Sequence, residues 1–278
     1  MPRPAACLLP VLSPLLLLPA VADAQSARRA VPPDPLFDHR VSVTLAAGFA
    51  PLSTSVRLDG ADGTPGTLLS GEDDLALAGD GVALGFDLTL RPRPRHRVRL
   101  GLEPLPGNRR ARVALEEDIR FGDEVYLAGE TVQSSLRLRA WSASYLYSIL
   151  RIPSAEVALS FGLASLDLRA EAGVPARGVR EREETWVPAP QLGAEATLRF
   201  SRRWYGELRY RYFDADLDDN RGTLYRIDLG VMYQLNPQLA VGLAVTRFDV
   251  EAERVESGDT GLFRQRTDSV MLAIRAGL

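Results

Sequence analysis

Residues 191–200 read QLGAEATLRF, with Leu192, Ala194, Ala196, Leu198 and Phe200 in one row and Gln191, Gly193, Glu195, Thr197 and Arg199 in the other. Side chains of an extended strand point alternately to its two faces, so this spacing gives one apolar face and one polar or charged face. The following stretch, 204–212, repeats the arrangement. Trp204, Leu208, Tyr210 and Tyr212 oppose Tyr205, Glu207, Arg209 and Arg211. Tyr225, Ile227, Leu229, Val231, Tyr233 and Leu235 continue it, alternating with Arg226, Asp228, Gly230, Met232 and Gln234. Similar runs lie at Val41–Phe49, Val82–Leu90, Val98–Leu102, Leu136–Ile149, Val157–Leu163, Leu239–Val245 and Val270–Leu278, giving about ten strands in all. A phase change near Ala140 and Trp141 implies a bulge. Helical periodicity is sustained nowhere, and the expected class is all-β.

The connections fall into two kinds. Arg91–His96, Leu150–Ser154, Ser201–Arg203 and Asn236–Gln238 are tight. The alternate ones are mostly longer and more polar, as at Asp59–Asp80 and Glu171–Glu184, with modest ones at Asp214–Asn220 and Arg254–Thr260. Such a meander has short turns at one end, long loops at the other, and an even strand count that brings both ends of the chain to the turn side.

Composition narrows the class further. Across 278 residues the formal net charge is −3, arginine dominates the cations and no basic tract occurs, which speaks against nucleic acid as a partner. Residues 1–24 carry Arg3, a leucine-rich run from Leu8 to Leu18, and Ala22-Asp23-Ala24 before Gln25, the pattern of a cleaved secretory signal peptide. The only cysteine, Cys7, lies inside it, so the mature chain is expected to have no disulfide or thiolate site. Residues 25–39 are expected to form a short periplasmic segment and 40–278 the β domain. No later run is long and apolar enough for a membrane helix, but an exported chain can still cross a membrane by closing a barrel in which every backbone group is paired.

Period two alone does not say which face looks outward, so a soluble sandwich or lipocalin-like barrel is the competing fold. Aromatic placement favours lipid. Trp204 and Tyr212 stand eight residues apart on one strand, and Tyr225 and Tyr233 stand eight apart on the next. Eight tilted steps cover ~20 Å of membrane normal, close to the apolar band that aromatic girdles flank in membrane barrels. Trp204, Tyr210, Tyr212, Tyr225 and Tyr233 are the expected girdle. The opposite rows mix charges of both signs with small residues, as a narrow lumen requires. Val270, Leu272, Ile274, Ala276 and Leu278 carry the apolar row to the final residue. In this terminal strand and the ladder before it, the sequence resembles the bacterial small outer-membrane β-barrel proteins, the group that includes the barrel domain of outer-membrane protein A. Leu278 stands where that class usually carries Phe or Trp. The resemblance implies a closed antiparallel up-and-down transmembrane barrel of about ten strands (eight to twelve), with short periplasmic turns and longer extracellular loops. It also implies a monomer in contact with outer-membrane lipid and lipopolysaccharide, delivered by the barrel insertion machinery in a Gram-negative-type bacterium.

Asp87, Arg99, Glu103, Glu195, Arg199, Glu207, Arg209, Arg211, Arg226, Asp228 and Arg275 fall on the inward rows. They are expected to interlock as a lumen ion-pair network, with a charged channel as the alternative. Barrel enzymes of this size place His with Asp or Ser near the outer rim, whereas His39 and His96 both map to the turn end, and no nucleophilic serine can be assigned beside them. No catalytic, cofactor or metal site is expected. The acidic stretch Asp214, Asp216, Asp218, Asp219, Asn220 fails the EF-hand pattern and reads as a solvated loop, as do Glu72, Asp73, Asp74 and Asp80. The expected role is non-enzymatic, in envelope structure or surface contact, with a small pore or transporter, or a lipid-modifying or proteolytic enzyme, as alternatives.

Overall fold

The computed structural model describes residues 39–217, 220–256 and 259–278. The expected signal peptide, residues 25–38 of the expected periplasmic segment, and Asp218 and Asp219 lie outside the described residues. Ten long strands follow one another around a barrel: β1 (Val41–Leu58), β2 (Asp80–Arg93), β3 (His96–Pro106), β4 (Thr131–Ile152), β5 (Ala155–Val174), β6 (Val179–Arg199), β7 (Trp204–Leu217), β8 (Asn220–Asn236), β9 (Leu239–Glu256) and β10 (Asp259–Gly277). Each pairs antiparallel with its chain neighbour, and β10 returns to pair with β1, so the sheet closes.

Register fixes the dimensions. Following partners around the wall leads from Val41 through Leu90, Val98, Tyr145, Phe161, Leu192, Tyr212, Tyr225, Asp249 and Arg266 back to β1 at Ser53, a stagger of twelve residues. With strands ~4.8 Å apart and a rise of ~3.3 Å per residue, that stagger over ten strands gives a tilt of ~40° and a backbone radius of ~10 Å. A lumen of this width can be filled by side chains reaching in from opposite walls.

The strands run well beyond their apolar rows. Val157–Leu163 lies within a strand that continues to Val174, and Leu239–Val245 within one that continues to Glu256. The expected polar loop Glu171–Glu184 is therefore mostly strand, closed by a turn at 175–178, and of the expected acidic loop Asp214 and Asp216 belong to β7 and Asn220 to β8. Only 59–79 and 107–130 are long connections, and both contain short strands: Leu69–Ser70 pairs with β1, Arg109–Ala114 extends β3 along β4, and Ile119–Phe121 pairs with Glu124–Tyr126.

The expected bulge at Ala140 and Trp141 is also corrected. Between β4 and β5 the register passes through Ala140↔Leu166 and Trp141↔Ser165 without a break, and the irregularity falls at Ser148/Leu150. What changes at 140 is polarity. On the turn-end side of Trp141 the outward row is apolar, with Leu45, Phe49, Leu159, Phe161, Leu163, Leu192, Leu243 and Leu272 all exposed. On the loop-end side the outward row is charged. There β9 and β10 carry Arg247–Asp268, Asp249–Arg266 and Glu251–Arg264 as cross-strand ion pairs. The inward row inverts in step: Leu138, Leu166, Phe213, Leu224, Phe248, Val250 and Phe263 are buried in one apolar cluster.

Two partings of the wall accompany this inversion. The β6–β7 ladder runs from Arg199↔Tyr205 to Leu192↔Tyr212 and stops there, where Pro190 and Pro188 have no amide hydrogen to give. On the other side, Leu69–Ser70 pairs only with β1 and Arg109–Ala114 only with β4. Above the apolar belt the chain thus forms two sheets facing across an apolar core, which the long connections fill with Leu69, Leu75, Leu77, Ile119, Phe121 and Tyr126. The belt itself is the lipid-facing wall of a transmembrane barrel.

Candidate functional site

Inside the belt, seven arginines (Arg91, Arg97, Arg99, Arg209, Arg211, Arg226, Arg275) meet six carboxylates (Asp87, Glu103, Glu156, Glu195, Glu207, Asp228). Strand alternation aims these groups inward, and the ~10 Å radius lets strands that are not neighbours touch. Arg209 of β7 reaches Asp87 of β2 at 2.7 Å. Arg275 of β10 grips Glu207 of β7 with two nitrogens, and Arg99 of β3 does the same to Glu195 of β6. Arg97 joins Glu195 at 3.5 Å to Glu156 at 3.6 Å, and Arg91 holds Glu156 through two bonds of 3.0 and 2.9 Å.

A second knot lies beside the first. Glu103 accepts from Arg211, Arg226 and the Ser142 hydroxyl, while Arg226 also grips Asp228, which accepts from Thr246 at 2.6 Å. Forked guanidiniums suit this site because each holds two carboxylate oxygens in one plane. Gly101 makes room for the lattice: a Cβ there would stand 2.7 Å from Asp87 Oδ1 and 3.2 Å from Ser142 Oγ. Cavities of about 50 and 80 Å³ remain around the knots, enough for a few waters.

Of the expected network residues, Asp87, Arg99, Glu103, Glu195, Glu207, Arg209, Arg211, Arg226, Asp228 and Arg275 meet in these knots. Arg199 lies on the same inward row at the turn end, opposite Tyr205 in register. Arg91, Arg97 and Glu156 are members that the sequence reading passed over. Arg91 and Glu156 sit beside tight turns, where alternation is too short to show direction. Arg97 shares the inward row of Arg99 and was legible from it.

The expected girdle residues all lie on the outward row. Trp204 and Tyr233 stand opposite one another at the turn end with ring centroids 4.9 Å apart, and Tyr212 and Tyr225 stand opposite one another eight residues higher. Tyr210 lies one step inside this line, its ring 5.6 Å from Tyr225. Trp141, Tyr145, Tyr147 and Phe161 belong to the same outward surface on the far wall, and the sequence reading left them out.

Both histidines are at the turn end. His96 Nδ1 is 2.5 Å from the Tyr145 hydroxyl, and His39 donates from Nε2 to the Pro237 carbonyl at 3.0 Å, its ring over Gly277. Among the described residues no three His, Cys, Asp or Glu side chains are grouped so as to share a metal ion.

In the first acidic stretch one residue departs from expectation. Glu72, read as part of a solvated loop, turns inward. It pairs with the buried Arg109 at 2.6 Å and accepts from the Thr54 amide at 2.8 Å, while Arg109 donates to Thr54 Oγ1 at 2.7 Å. Together with bonds from Gly71 to Thr54 and from Leu52 to Gly79, this latch holds residues 69–79 inside the wall, above the charge lattice.

No protein-family model and no curated protein matches the sequence. Among solved structures, the outer-membrane protease OmpT from Escherichia coli is similar at 9% identity over 85% of this chain and 97% of that one, with a TM-score of 0.53. The fold is that of the bacterial outer-membrane β-barrels. A FadL homologue of Pseudomonas aeruginosa (8% identity; 88% and 92% covered; TM-score 0.39) and the attachment invasion locus protein Ail of Yersinia pestis (9%; 84% and 97%; 0.32) are also similar. At such identities the likeness concerns fold, and the chemistry of this barrel must come from its own side chains.

Proposed function

We propose that the chain resides in the outer membrane as a closed, non-enzymatic barrel that acts through the half standing clear of the lipid, in envelope structure or surface contact. The supporting observation is a double stopper. A charge lattice with nearly equal numbers of both signs crosses the lumen at membrane level, and an apolar core packed by residues 69–79 and the 119–126 hairpin seals it above. An ion entering from the turn side meets paired charges of nearly balanced sign, then an apolar layer it cannot cross without desolvation. Both histidines sit at the rim away from that upper half.

The test is a planar-bilayer recording on the refolded barrel. The wild type should show no unitary conductance. Steady openings that disappear when Arg209 and Arg211 are replaced would instead establish the lumen as a pore.

A further inference from the structure

The ion pairs of the lumen leave one cation over. Arg91 holds Glu156, Arg99 holds Glu195, Arg209 holds Asp87, Arg211 holds Glu103, Arg226 holds Asp228 and Arg275 holds Glu207, which gives each of the six carboxylates a guanidinium. Arg97 is the seventh arginine and has no carboxylate of its own. Its approaches to Glu195 at 3.5 Å and Glu156 at 3.6 Å are longer than hydrogen bonds, and both carboxylates are already gripped, by Arg99 and by Arg91 with Ser148. Arg97 is only 8% exposed, and its Nε is a buried donor without a partner. An unmade buried bond and an unbalanced buried charge both cost free energy that a bound anion recovers.

Arg97 lines the cavity of about 50 Å³ at the turn end of the lumen, together with Ser42, Thr197 and Tyr205. The arginines and carboxylates that share its wall are Arg91, Arg99, Arg209 and Arg275 with Glu156, Glu195 and Glu207, and Arg209 is bound to Asp87. Four cations thus meet four carboxylates, and Arg97 is the surplus. Around this end Arg40, Arg93, Arg95, Arg202 and Arg203 are exposed, while the four tight turns contain no Asp or Glu. Such a ring draws anions toward the mouth of the lumen.

We propose that this cavity binds one free inorganic phosphate in its singly charged form, with two of its oxygens on the fork of Arg97. Guanidinium geometry suits a pair of phosphate oxygens, and a single negative charge balances the single surplus cation. Protons select the anion. Glu156 and Glu195 beside Arg97 are acceptors, which the hydroxyls of dihydrogen phosphate can meet and the bare oxygens of sulfate cannot. The ligand is the free ion rather than a lipid headgroup, because the cavity lies inside the closed wall and the acyl chains lie outside it. This binding is additional to the structural role proposed above.

The experiment is calorimetric titration of the folded barrel, in neutral micelles and a chloride buffer, with inorganic phosphate and with sulfate. Phosphate should bind at one site, and sulfate at least ~10-fold more weakly. R97Q, and R97K, which keeps the charge but loses the fork, should each bind phosphate at least ~10-fold more weakly, the loss expected for one charge-assisted bond. R264Q, on the outward surface of β10, should bind as the wild type does. Because R97Q removes only the surplus cation, its urea midpoint without phosphate should match the wild type's, and phosphate should raise the wild-type midpoint alone. Undiminished binding by R97Q or R97K, or a lower phosphate-free midpoint for R97Q, would overturn the site. Equal binding of sulfate would overturn phosphate as the ligand, and competition by an anionic phospholipid mixed into the micelles would overturn the free ion in favour of a headgroup. Asp34 and Asp38 precede this end in the sequence. D34N/D38N should bind phosphate as the wild type does, and binding at least ~10-fold tighter would overturn the proposal by showing that those carboxylates already serve Arg97.

Discussion

Replacing Glu103 with Gln is the sharpest perturbation of the lumen. The Glu103 carboxylate is buried and accepts from Arg211, Arg226 and Ser142, and no other carboxylate lies between the two guanidiniums on its side of the knot. Neutralising it leaves Arg211 and Arg226 sharing Asp228 alone, at 3.7 and 2.7 Å. Removing one partner of a buried pair costs ~3–5 kcal/mol, and a neighbouring cavity with room for a few waters places this case near ~3 kcal/mol. Removing Arg226 as well restores the charge balance, so E103Q/R226Q should lose less than the sum of the two single changes, with a coupling of ~2 kcal/mol. Equilibrium urea unfolding in neutral vesicles, followed by tryptophan fluorescence, measures all three. A stability of E103Q within ~0.5 kcal/mol of the wild type, or additive single and double variants, would refute a paired lattice in favour of solvated, independent charges.

Other perturbations separate the belt, the upper core and the latch. Leu243→Arg, on the outward row of the belt, should cost ~2–4 kcal/mol in the same assay, whereas Arg266→Leu above the belt should change stability by no more than ~1 kcal/mol. Phe248→Ala, in the core between the upper sheets, should cost ~3–5 kcal/mol and expose the loop end of β9 to protease while the belt stays folded on gels. Glu72→Gln strips Arg109 of its carboxylate partner, and hydrogen exchange should then run at least ~10-fold faster at Gly71 and Leu77, corresponding to ~1.4 kcal/mol, without change in β8.

The architecture was readable because alternation and tight turns are local properties. The ten strands, their order and the four tight turns follow from rows such as Leu192–Phe200 and from turns such as Asn236–Gln238. The charge network was readable for the same reason, since an inward row is inward along the whole strand. What the sequence hid was the exchange of polarity between the rows. In β9, Leu243 and Val245 face out while Phe248 and Val250 face in, and the pattern between them reads as an ended strand although the ladder continues to Glu256. At Ala140 and Trp141 the same exchange reads as a bulge. Period-two patterning reports which residues share a face but says nothing of the medium that face meets, and this barrel meets two media along one strand. Glu72 was hidden differently: its partner Arg109 lies 37 residues away, across a connection whose path no local rule specifies.

A cysteine scan of β9 in a background without Cys7 tests that exchange most directly. Single cysteines at Leu243, Val245, Arg247, Phe248 and Val250 would carry a fluorophore quenched separately by brominated lipid chains and by a water-soluble quencher. Positions 243 and 245 should respond to lipid, 247 to water, and 248 and 250 to neither while the upper core stays packed. Quenching of 248 or 250 by brominated lipid, or of 243 and 245 by the aqueous quencher alone, would contradict the account.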